Sequence, residues 1–184
     1  MLRHITNKHL LGEDRILVVN KNGTYYTTDY DLSNHYEEEY AVIEKYEPEK
    51  VWSAVFFDAE QQFYYLKRFR FENVVRHTLF IGETEGSYLV ALSGEKRPRF
   101  EVVFGGRYES RPAEVIVADE FIAEKSYKAR GKRVTTYEVK QINEIEPLDS
   151  GEEESEETAS TDIDFEITNP DMLSDETQMK LDFE

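Results

Sequence analysis

An Asn-Gly pair at Asn22-Gly23 constrains the fold of this chain more than any other short feature of its sequence. The pair separates two runs rich in β-branched and aromatic residues, 15–19 and 24–28. Asn and Gly both tolerate the positive φ angles of a tight turn between antiparallel strands. The pattern therefore predicts a β-hairpin near the start of the chain.

Two further pairs of β-prone runs follow, at 51–57 with 63–69 and at 88–92 with 99–104. The first strands begin near residues 16, 51 and 88, which are steps of 35 and 37 residues. A hairpin that recurs at such a period is typical of the blades of propeller-like arrays. We also expect strands at 113–118 and 133–139, and a short helical turn at 36–40. The sequence predicts an all-β body over residues 1–147.

Acidic residues concentrate near the end of the chain. The formal net charge is -17, yet residues 148–184 hold 14 acids and one base, a net of -13. Residues 1–147 keep the other 25 of 39 acids and 21 of 22 bases. The acidic segment has few large apolar residues, so burial cannot offset a backbone ordering entropy of roughly 1–2 kcal/mol per residue. We predict a disordered acidic tail at 148–184 and a nearly balanced body, which does not exclude nucleic acid as a partner.

Several kinds of chemistry are excluded by the composition. The chain has no cysteine, and therefore no disulfide, thiolate metal site or cysteine nucleophile. No apolar run is long enough to span a membrane, and the N-terminus lacks the apolar core of a signal peptide. The four histidines show no metal-ligand spacing, and common phosphate-binding and catalytic motifs are missing. We expect a soluble, cytoplasmic protein without a metal, cofactor or active site in this chain.

Basic residues instead cluster on or beside the predicted strands. An extended backbone would place Lys128, Arg130 and Lys132 on one face, and Gly131 would allow a close approach to phosphate or a sharp turn. A basic strip of this kind is typical of DNA-binding surfaces. The alternative is that these cations blunt strand edges or pair with nearby acids. The candidate phosphate contacts are Lys67, Arg68, Arg70, Arg97, Arg99, Lys125, Lys128, Arg130, Lys132 and Arg133.

Four segments carry a resemblance to a known family: ILVVNKNGTYYTTDYDL, EKVWSAVFFDAEQQFYYLKRF, RFEVVFGG and ARGKRVTTYEVKQINEIEP. In order and spacing they resemble the C-terminal region of a bacterial type II DNA topoisomerase A subunit, the gyrase or topoisomerase IV A subunit of a Bacteroides-like lineage. The resemblance covers roughly residues 10–147. It implies a β-pinwheel, in which propeller-like blades exchange strands. It also implies a basic outer rim that binds and bends duplex DNA and presents it for strand passage.

The resemblance also implies roles for particular residues. Lys67, Arg68 and Phe69 match the family's KRF element, and the family's terminal basic element matches Lys128, Arg130, Lys132 and Arg133. The family's breakage–rejoining domain has no counterpart here, so we expect no catalytic tyrosine. The glutamine–arginine–glycine box of wrapping gyrases is absent too, which favours bending of DNA over full wrapping.

We therefore expect a fragment of a larger subunit of an ATP-dependent topoisomerase. Its implied partners are double-stranded DNA, the rest of the A subunit and the B (ATPase) subunit. The acidic tail, tethered beside the rim, is expected to compete with DNA. Within the tail, Gln178, Leu181 and Phe183 resemble the Q-x-x-L-x-F/L peptides that dock on the sliding clamp.

An alternative function belongs to another class. The repeated hairpins could form a protein–protein interaction module that does not bind DNA. Aromatic residues are enriched at such interfaces. The residues that would engage a partner protein are Tyr25, Tyr26, Tyr64 and Tyr65.

Overall fold

The computed structural model describes residues 14–29 and 39–148. These residues form eleven strands, a short 3-10 turn at Gly106–Tyr108 and one four-residue α-helix. No helix in these two ranges is long and apolar enough to cross a membrane. The elements are β1 (Ile16–Asn20), β2 (Thr24–Thr28), β3 (Tyr40–Lys45), β4 (Val51–Asp58), β5 (Phe63–Arg70), β6 (Thr78–Leu79), β7 (Tyr88–Ser93), β8 (Arg99–Phe104), β9 (Glu114–Val117), α1 (Ala118–Phe121), β10 (Lys132–Arg133) and β11 (Val139–Ile145).

Some predictions fall on parts of the chain that the structure does not describe. Residues 149–184 hold nearly all of the predicted acidic tail, including the three residues of the clamp-like motif. Most of the helical turn predicted at 36–40 is also outside the described residues, although Tyr40 itself begins β3.

The first two predicted hairpins are confirmed. Strand β1 pairs antiparallel with β2, with Ile16 opposite Thr28. Strand β4 pairs antiparallel with β5 along their full lengths, with Val51 opposite Arg70. Gly23 has a φ of +80°, and a Cβ there would overlap the Ile81 side chain. The Asn-Gly turn thus meets both a backbone and a packing requirement for glycine.

The third predicted hairpin is wrong in its pairing. Strands β7 and β8 exist, but β7 pairs with β4, whereas β8 pairs with β9 and β11. The two strands belong to different sheets. Their connection, residues 94–98, is longer than a tight hairpin turn, and its sequence does not distinguish a return to the same sheet from a crossing to the next.

Strand exchange links successive sheets. The three sheets have the orders β3-β1-β2-β6, β10-β5-β4-β7 and β11-β8-β9, called here sheets A, B and C. Strand β6 follows β5 in the chain yet pairs with β2 of sheet A. In the same way β10 follows β9 yet pairs with β5 of sheet B. The all-β prediction is confirmed, and the exchange is the feature expected of a β-pinwheel.

Of the two remaining strand predictions, one is confirmed and one is wrong. The strand expected at 113–118 is confirmed as β9 (Glu114–Val117). The strand expected at 133–139 is wrong, because β10 ends at Arg133 and β11 begins at Val139. Residues 134–138 between them form no strand and cross from sheet B to sheet C.

Two apolar clusters hold the sheets together. The first is rich in aromatic residues and includes Tyr25, Trp52 and Phe69. The second includes Leu66 and Phe100. Strands β4 and β5 contribute to both clusters, since alternate side chains point to opposite faces. Sheet B is therefore buried on both faces, which explains its nearly continuous apolar sequence.

Candidate nucleic-acid interface

A basic segment, residues 125–133, runs antiparallel along the outer side of β5. At one end, the Lys125 amide donates to the Arg68 carbonyl at 2.8 Å. At the other end, Lys132 lies opposite Leu66 and Arg133 opposite Tyr65. Arg68 and Leu66 are two residues apart on a strand, so the backbones at 125 and 132 are brought within roughly 7 Å of each other. The residues between, 126–130, form a loop that leaves the β5 ladder; we call it the basic loop.

Gly131 ends the basic loop and returns the chain to β5. Its φ is +95°, and a Cβ there would lie 2.5 Å from the Leu66 carbonyl oxygen. Only glycine satisfies both the left-handed backbone and this close approach. The sharp turn anticipated from the sequence is therefore present, and it packs against β5.

Lys67 is the largest correction to the predicted site. Its side chain is only 3% exposed. The ammonium donates to the carbonyl oxygens of Phe80, Tyr127 at 2.6 Å and Ala129 at 3.3 Å. A phosphate cannot reach a group enclosed in this way, so Lys67 is not a phosphate contact. The burial of β5 on both faces places this lysine inside the fold.

The surroundings of Lys67 also change its acidity. Its ammonium lies 4.8 Å from the ring centroid of Phe69 and 5.6 Å from that of Phe80. Burial lowers the pKa of Lys67 from 10.5 to about 8, because desolvation disfavours the charged form. Carbonyl dipoles and ring faces compensate only part of the lost hydration.

Four cations of the basic segment remain accessible: Lys125, Lys128, Lys132 and Arg133 are all exposed. Within the described ranges, none of the four pairs with a carboxylate. The Lys132 ammonium donates to the Phe121 carbonyl at 3.2 Å and lies 4.1 Å from that ring. The Arg133 guanidinium lies 3.9 Å from the Phe63 ring centroid. These contacts are made by the charged groups themselves, and both residues remain exposed, so their charge is still available to an anion.

The predicted alignment of Lys128, Arg130 and Lys132 on one face of an extended strand is wrong, because only Lys132 lies in a strand. Residues 127–129 form a turn, closed by a hydrogen bond from the Ala129 amide to the Ser126 carbonyl at 2.9 Å. Lys132 and Arg133 are adjacent in β10, so they point to opposite faces of sheet B. The cations are gathered by a loop and a sheet edge, and not by one extended strand.

The chain matches a known family over most of its length. A family model described as the topoisomerase C-terminal domain of Bacteroidota matches residues 7–146. The chain belongs to this topoisomerase C-terminal domain family. The match confirms the resemblance inferred from the four segments, and it spans all three sheets.

The domain is also similar to a solved structure entitled the C-terminal domain of DNA topoisomerase IV, with 14% sequence identity and a TM-score of 0.48. The likeness covers 77% of this chain and 49% of that one, so the chain spans about half the length of that structure. No curated protein matches the chain.

Three other predicted contacts of this topoisomerase domain are held by carboxylates. Arg70 pairs with Glu49 at 2.7 Å and with Glu124 at 3.0 Å. Arg97 pairs with Asp119 and Glu120, and Arg130 lies 3.7 Å from Asp58 and 3.5 Å from Glu60. The alternative of pairing with nearby acids therefore describes Arg70, Arg97 and Arg130.

The last two predicted contacts bind main-chain carbonyls. Arg68 donates to the Ile122 carbonyl at 3.5 Å, and Arg99 donates to the Glu146 carbonyl at 2.6 Å. Within the described ranges, the exposed cations that sequence reasoning left out of the site are Lys21, Arg76, Lys96 and Arg107, together with Arg111 and Lys140, which pair with acids. The first lies in the β1–β2 turn, where a single lysine gives no pattern to recognise.

The tyrosines of the alternative function divide into two groups. Tyr25 and Tyr65 are buried in the aromatic core, so they cannot form a protein-binding surface. Tyr64 is half-buried, and its hydroxyl is 3.2 Å from the Tyr88 hydroxyl. Tyr26 is also half-buried and stacks on His77, with ring centroids 4.3 Å apart.

Proposed function

We propose that this domain is a noncatalytic DNA-binding and DNA-bending element of a bacterial type II topoisomerase A subunit. The supporting observation is a set of four exposed cations along β5 that have no carboxylate partner within residues 14–29 and 39–148: Lys125, Lys128, Lys132 and Arg133. Membership of the topoisomerase C-terminal domain family supports the same role. The domain would act in the cytoplasm, with the rest of the A subunit and the B subunit.

Phosphate contacts would supply most of the affinity. Lys and Arg that neutralise phosphates release condensed counterions, so the binding constant falls linearly with salt on logarithmic axes. Four such contacts correspond to a slope of about -3.6 for duplex DNA. Phosphate contacts carry no sequence information, so we expect little dependence on DNA sequence.

Bending would follow from contacts on a curved surface. Smooth bending of a site of 20–30 base pairs costs on the order of 1–6 kcal/mol, which extra phosphate contacts can offset. Arginines that are now paired with acids, such as Arg70 and Arg130, could exchange a carboxylate for a phosphate along the bend. A bent duplex held this way would be presented to the enzyme for strand passage.

The decisive experiment measures salt-dependent binding of the full chain to a fluorescent duplex by anisotropy. The interface variant replaces Lys125, Lys128, Lys132 and Arg133 with Gln. The matched control removes the same charge from the ion-paired residues Lys45, Lys50, Arg111 and Lys140. We expect the interface variant to lose most of the salt slope and the control to keep it. Equal losses, or no salt-sensitive binding by the parent chain at about 50 mM salt, would contradict the proposal.

The acidic tail is proposed to compete with DNA for the basic segment. A net charge of -13 tethered to the body has a high effective concentration. Removal of residues 148–184 should therefore tighten DNA binding, with circular dichroism as the check that the body stays folded. A tail that serves only solubility would leave the affinity unchanged.

The clamp-like motif at Gln178, Leu181 and Phe183 is proposed as a docking peptide for the sliding clamp. A fluorescent peptide of residues 174–184 would test it directly against the purified clamp. The matched control replaces Leu181 and Phe183 with Ala. Equal binding of the two peptides, or no binding of either, would remove the clamp from the partners of this chain.

A protein-interaction function is the second candidate, favoured by a partly exposed aromatic cluster. Tyr88 is 46% exposed, and its ring lies 5.4 Å from that of Phe57, which also contacts Tyr64. Charge reversal at Lys128, Arg130 and Lys132 separates the two functions. It should abolish DNA binding and spare a partner held by the aromatic cluster.

A further inference from the structure

The basic loop depends on a support that the β5 ladder does not provide. Ladder contacts occur on both sides of it, at Lys125 and at Lys132, but residues 126–130 bulge away from the strand. The loop's own hydrogen bonds are short-range: the amides of Ala129 and Lys128 donate to the carbonyl and hydroxyl oxygens of Ser126. A five-residue excursion with so few internal bonds needs an external anchor to keep one conformation.

The ammonium of Lys67 occupies the inner side of this excursion. In the ladder, Lys67 is the residue between Leu66 and Arg68, so its side chain starts where the loop leaves the strand. It donates to two loop carbonyls, Tyr127 and Ala129, and to Phe80 beyond β6. An ammonium has three donors and no acceptor, so these three carbonyls use its full hydrogen-bonding capacity.

A lysine suits this position because all three acceptors are carbonyl oxygens. An apolar side chain of the same length would leave two loop carbonyls and the Phe80 carbonyl without this donor, and buried unsatisfied carbonyls destabilise the local fold. The Tyr127 ring adds a second anchor by packing 5.7 Å from the Tyr25 ring in the core. With the carbonyls of 127 and 129 held inward, the exposed Lys128 between them is directed outward.

We propose that Lys67 is a positioning residue of the DNA interface, whose ammonium fixes the basic loop and thereby the placement of Lys128 and of the Lys125 and Lys132 stems. The proposal rests on the DNA-binding function proposed above. Lys67 itself touches no phosphate. Its loss removes no accessible charge, so an effect on DNA binding would have to pass through the loop.

The absence of cysteine from the chain allows a matched chemical test. The Lys67→Cys variant would carry a unique thiol, which is alkylated in the unfolded full chain before refolding. Aminoethylation restores a lysine-like ammonium, whereas propylation with 1-iodopropane gives an apolar side chain of the same length without a hydrogen-bond donor. Lys67→Met provides a second neutral variant that needs no chemistry.

Three readouts are compared: thermal unfolding, amide hydrogen exchange of residues 126–131, and the salt slope and Kd for duplex DNA. We expect the neutral variants to remain folded, to exchange the loop amides at least tenfold faster, and to bind DNA about as weakly as Lys128→Gln. Aminoethylation of the Lys67→Cys variant should restore slow exchange and tight binding. Lys128→Gln added to Lys67→Met should cause little further loss, because both changes act on one loop.

Each of the other outcomes would contradict either the positioning role of Lys67 or the DNA-binding function. Loop exchange or DNA affinity that is unchanged in a folded neutral variant would overturn the positioning role. Global unfolding of both neutral variants, rescued by aminoethylation, would assign Lys67 to the whole fold and also overturn it. Absence of DNA binding by the parent chain would defeat the DNA-binding function instead, while hydrogen exchange would still report whether Lys67 holds the loop.

Discussion

Strand β5 and the basic segment 125–133 lie side by side and use most of their cations in opposite ways; Arg130, which pairs with Asp58 and Glu60, is the exception in the basic segment. In β5, Lys67 is buried against carbonyls, and Arg70 is held by two carboxylates. In the basic segment, Lys125, Lys128 and Lys132 are exposed and lack carboxylate partners in the described ranges. In the sequence, both segments have basic residues close to aromatic residues. Position in the sheet decides their use, because β5 has a neighbour on each side whereas β10 is an edge.

Among substitutions at the contact between β5 and the basic segment, we expect one at Gly131 to lower the free energy of unfolding most. Gly131→Ala would combine a left-handed backbone with a Cβ 2.5 Å from the Leu66 carbonyl. We expect a loss of about 4 kcal/mol in the free energy of unfolding, from backbone strain and overpacking together. Urea denaturation measures it.

Gly86→Ala is the matched control for Gly131→Ala. Gly86 has a similar φ of +92°, but the nearest atom to an added Cβ is Ala59 Cβ at an ordinary 3.5 Å. Only the backbone strain applies there, so we expect a loss of about 1 kcal/mol. Equal losses at the two glycines would show that the close contact between residue 131 and the Leu66 carbonyl adds nothing to the cost of a side chain at position 131.

The buried lysine of β5 should reveal itself through pH. The folded-state pKa of Lys67 is about 8, below its usual 10.5, so between these values the unfolded chain binds more protons than the folded one. The free energy of unfolding must then rise with pH across this window. Between pH 8 and 10.5, the free energy of unfolding of the parent chain should rise by about 3 kcal/mol more than that of Lys67→Met.

Urea unfolding of the two proteins at several pH values between 7.5 and 10.5 tests this sign and size. Lys45→Met, which removes an ion-paired and partly exposed lysine, is the control and should show a much smaller difference. Parallel pH curves for the parent chain and Lys67→Met would mean that Lys67 is hydrated in solution.

Sequence reasoning identified the β strands and the basic stretch but not the use of each cation. Hairpins at Asn22-Gly23 and at residues 58–62 were predictable because turn chemistry and β-branched runs are local. The pairing of β7 with β4, and of β10 with β5, was not, because strand exchange depends on contacts distant in sequence. Lys67 was misplaced for the same reason, since its burial depends on Phe80 and Tyr127, 13 and 60 residues away.

The comparison of the two segments predicts different salt slopes for single substitutions. Lys125→Gln removes a cation that pairs with no carboxylate of the described residues, and it should lower the magnitude of the slope for DNA binding by about 0.9. Arg70→Gln removes a cation already neutralised by Glu49 and Glu124, so its effect should be clearly smaller. Alternatively, Lys132 and Arg133 could serve only to keep the edge strand β10 from pairing with a strand of another molecule. Variants of these two residues would then self-associate without losing DNA affinity.

The smallest effect is expected at Arg97, which lies outside both segments. Its guanidinium ties the β7–β8 connection to α1 through Asp119 at 3.2 Å and Glu120 at 2.6 Å. Because such partly exposed pairs contribute little, Arg97→Gln should lower the free energy of unfolding by less than about 1 kcal/mol. It should leave the salt slope for DNA unchanged within error. If Arg97→Gln lowered the magnitude of the salt slope as much as Lys125→Gln, DNA would have to displace the two acids. The interface would then extend from the edge of sheet B to α1.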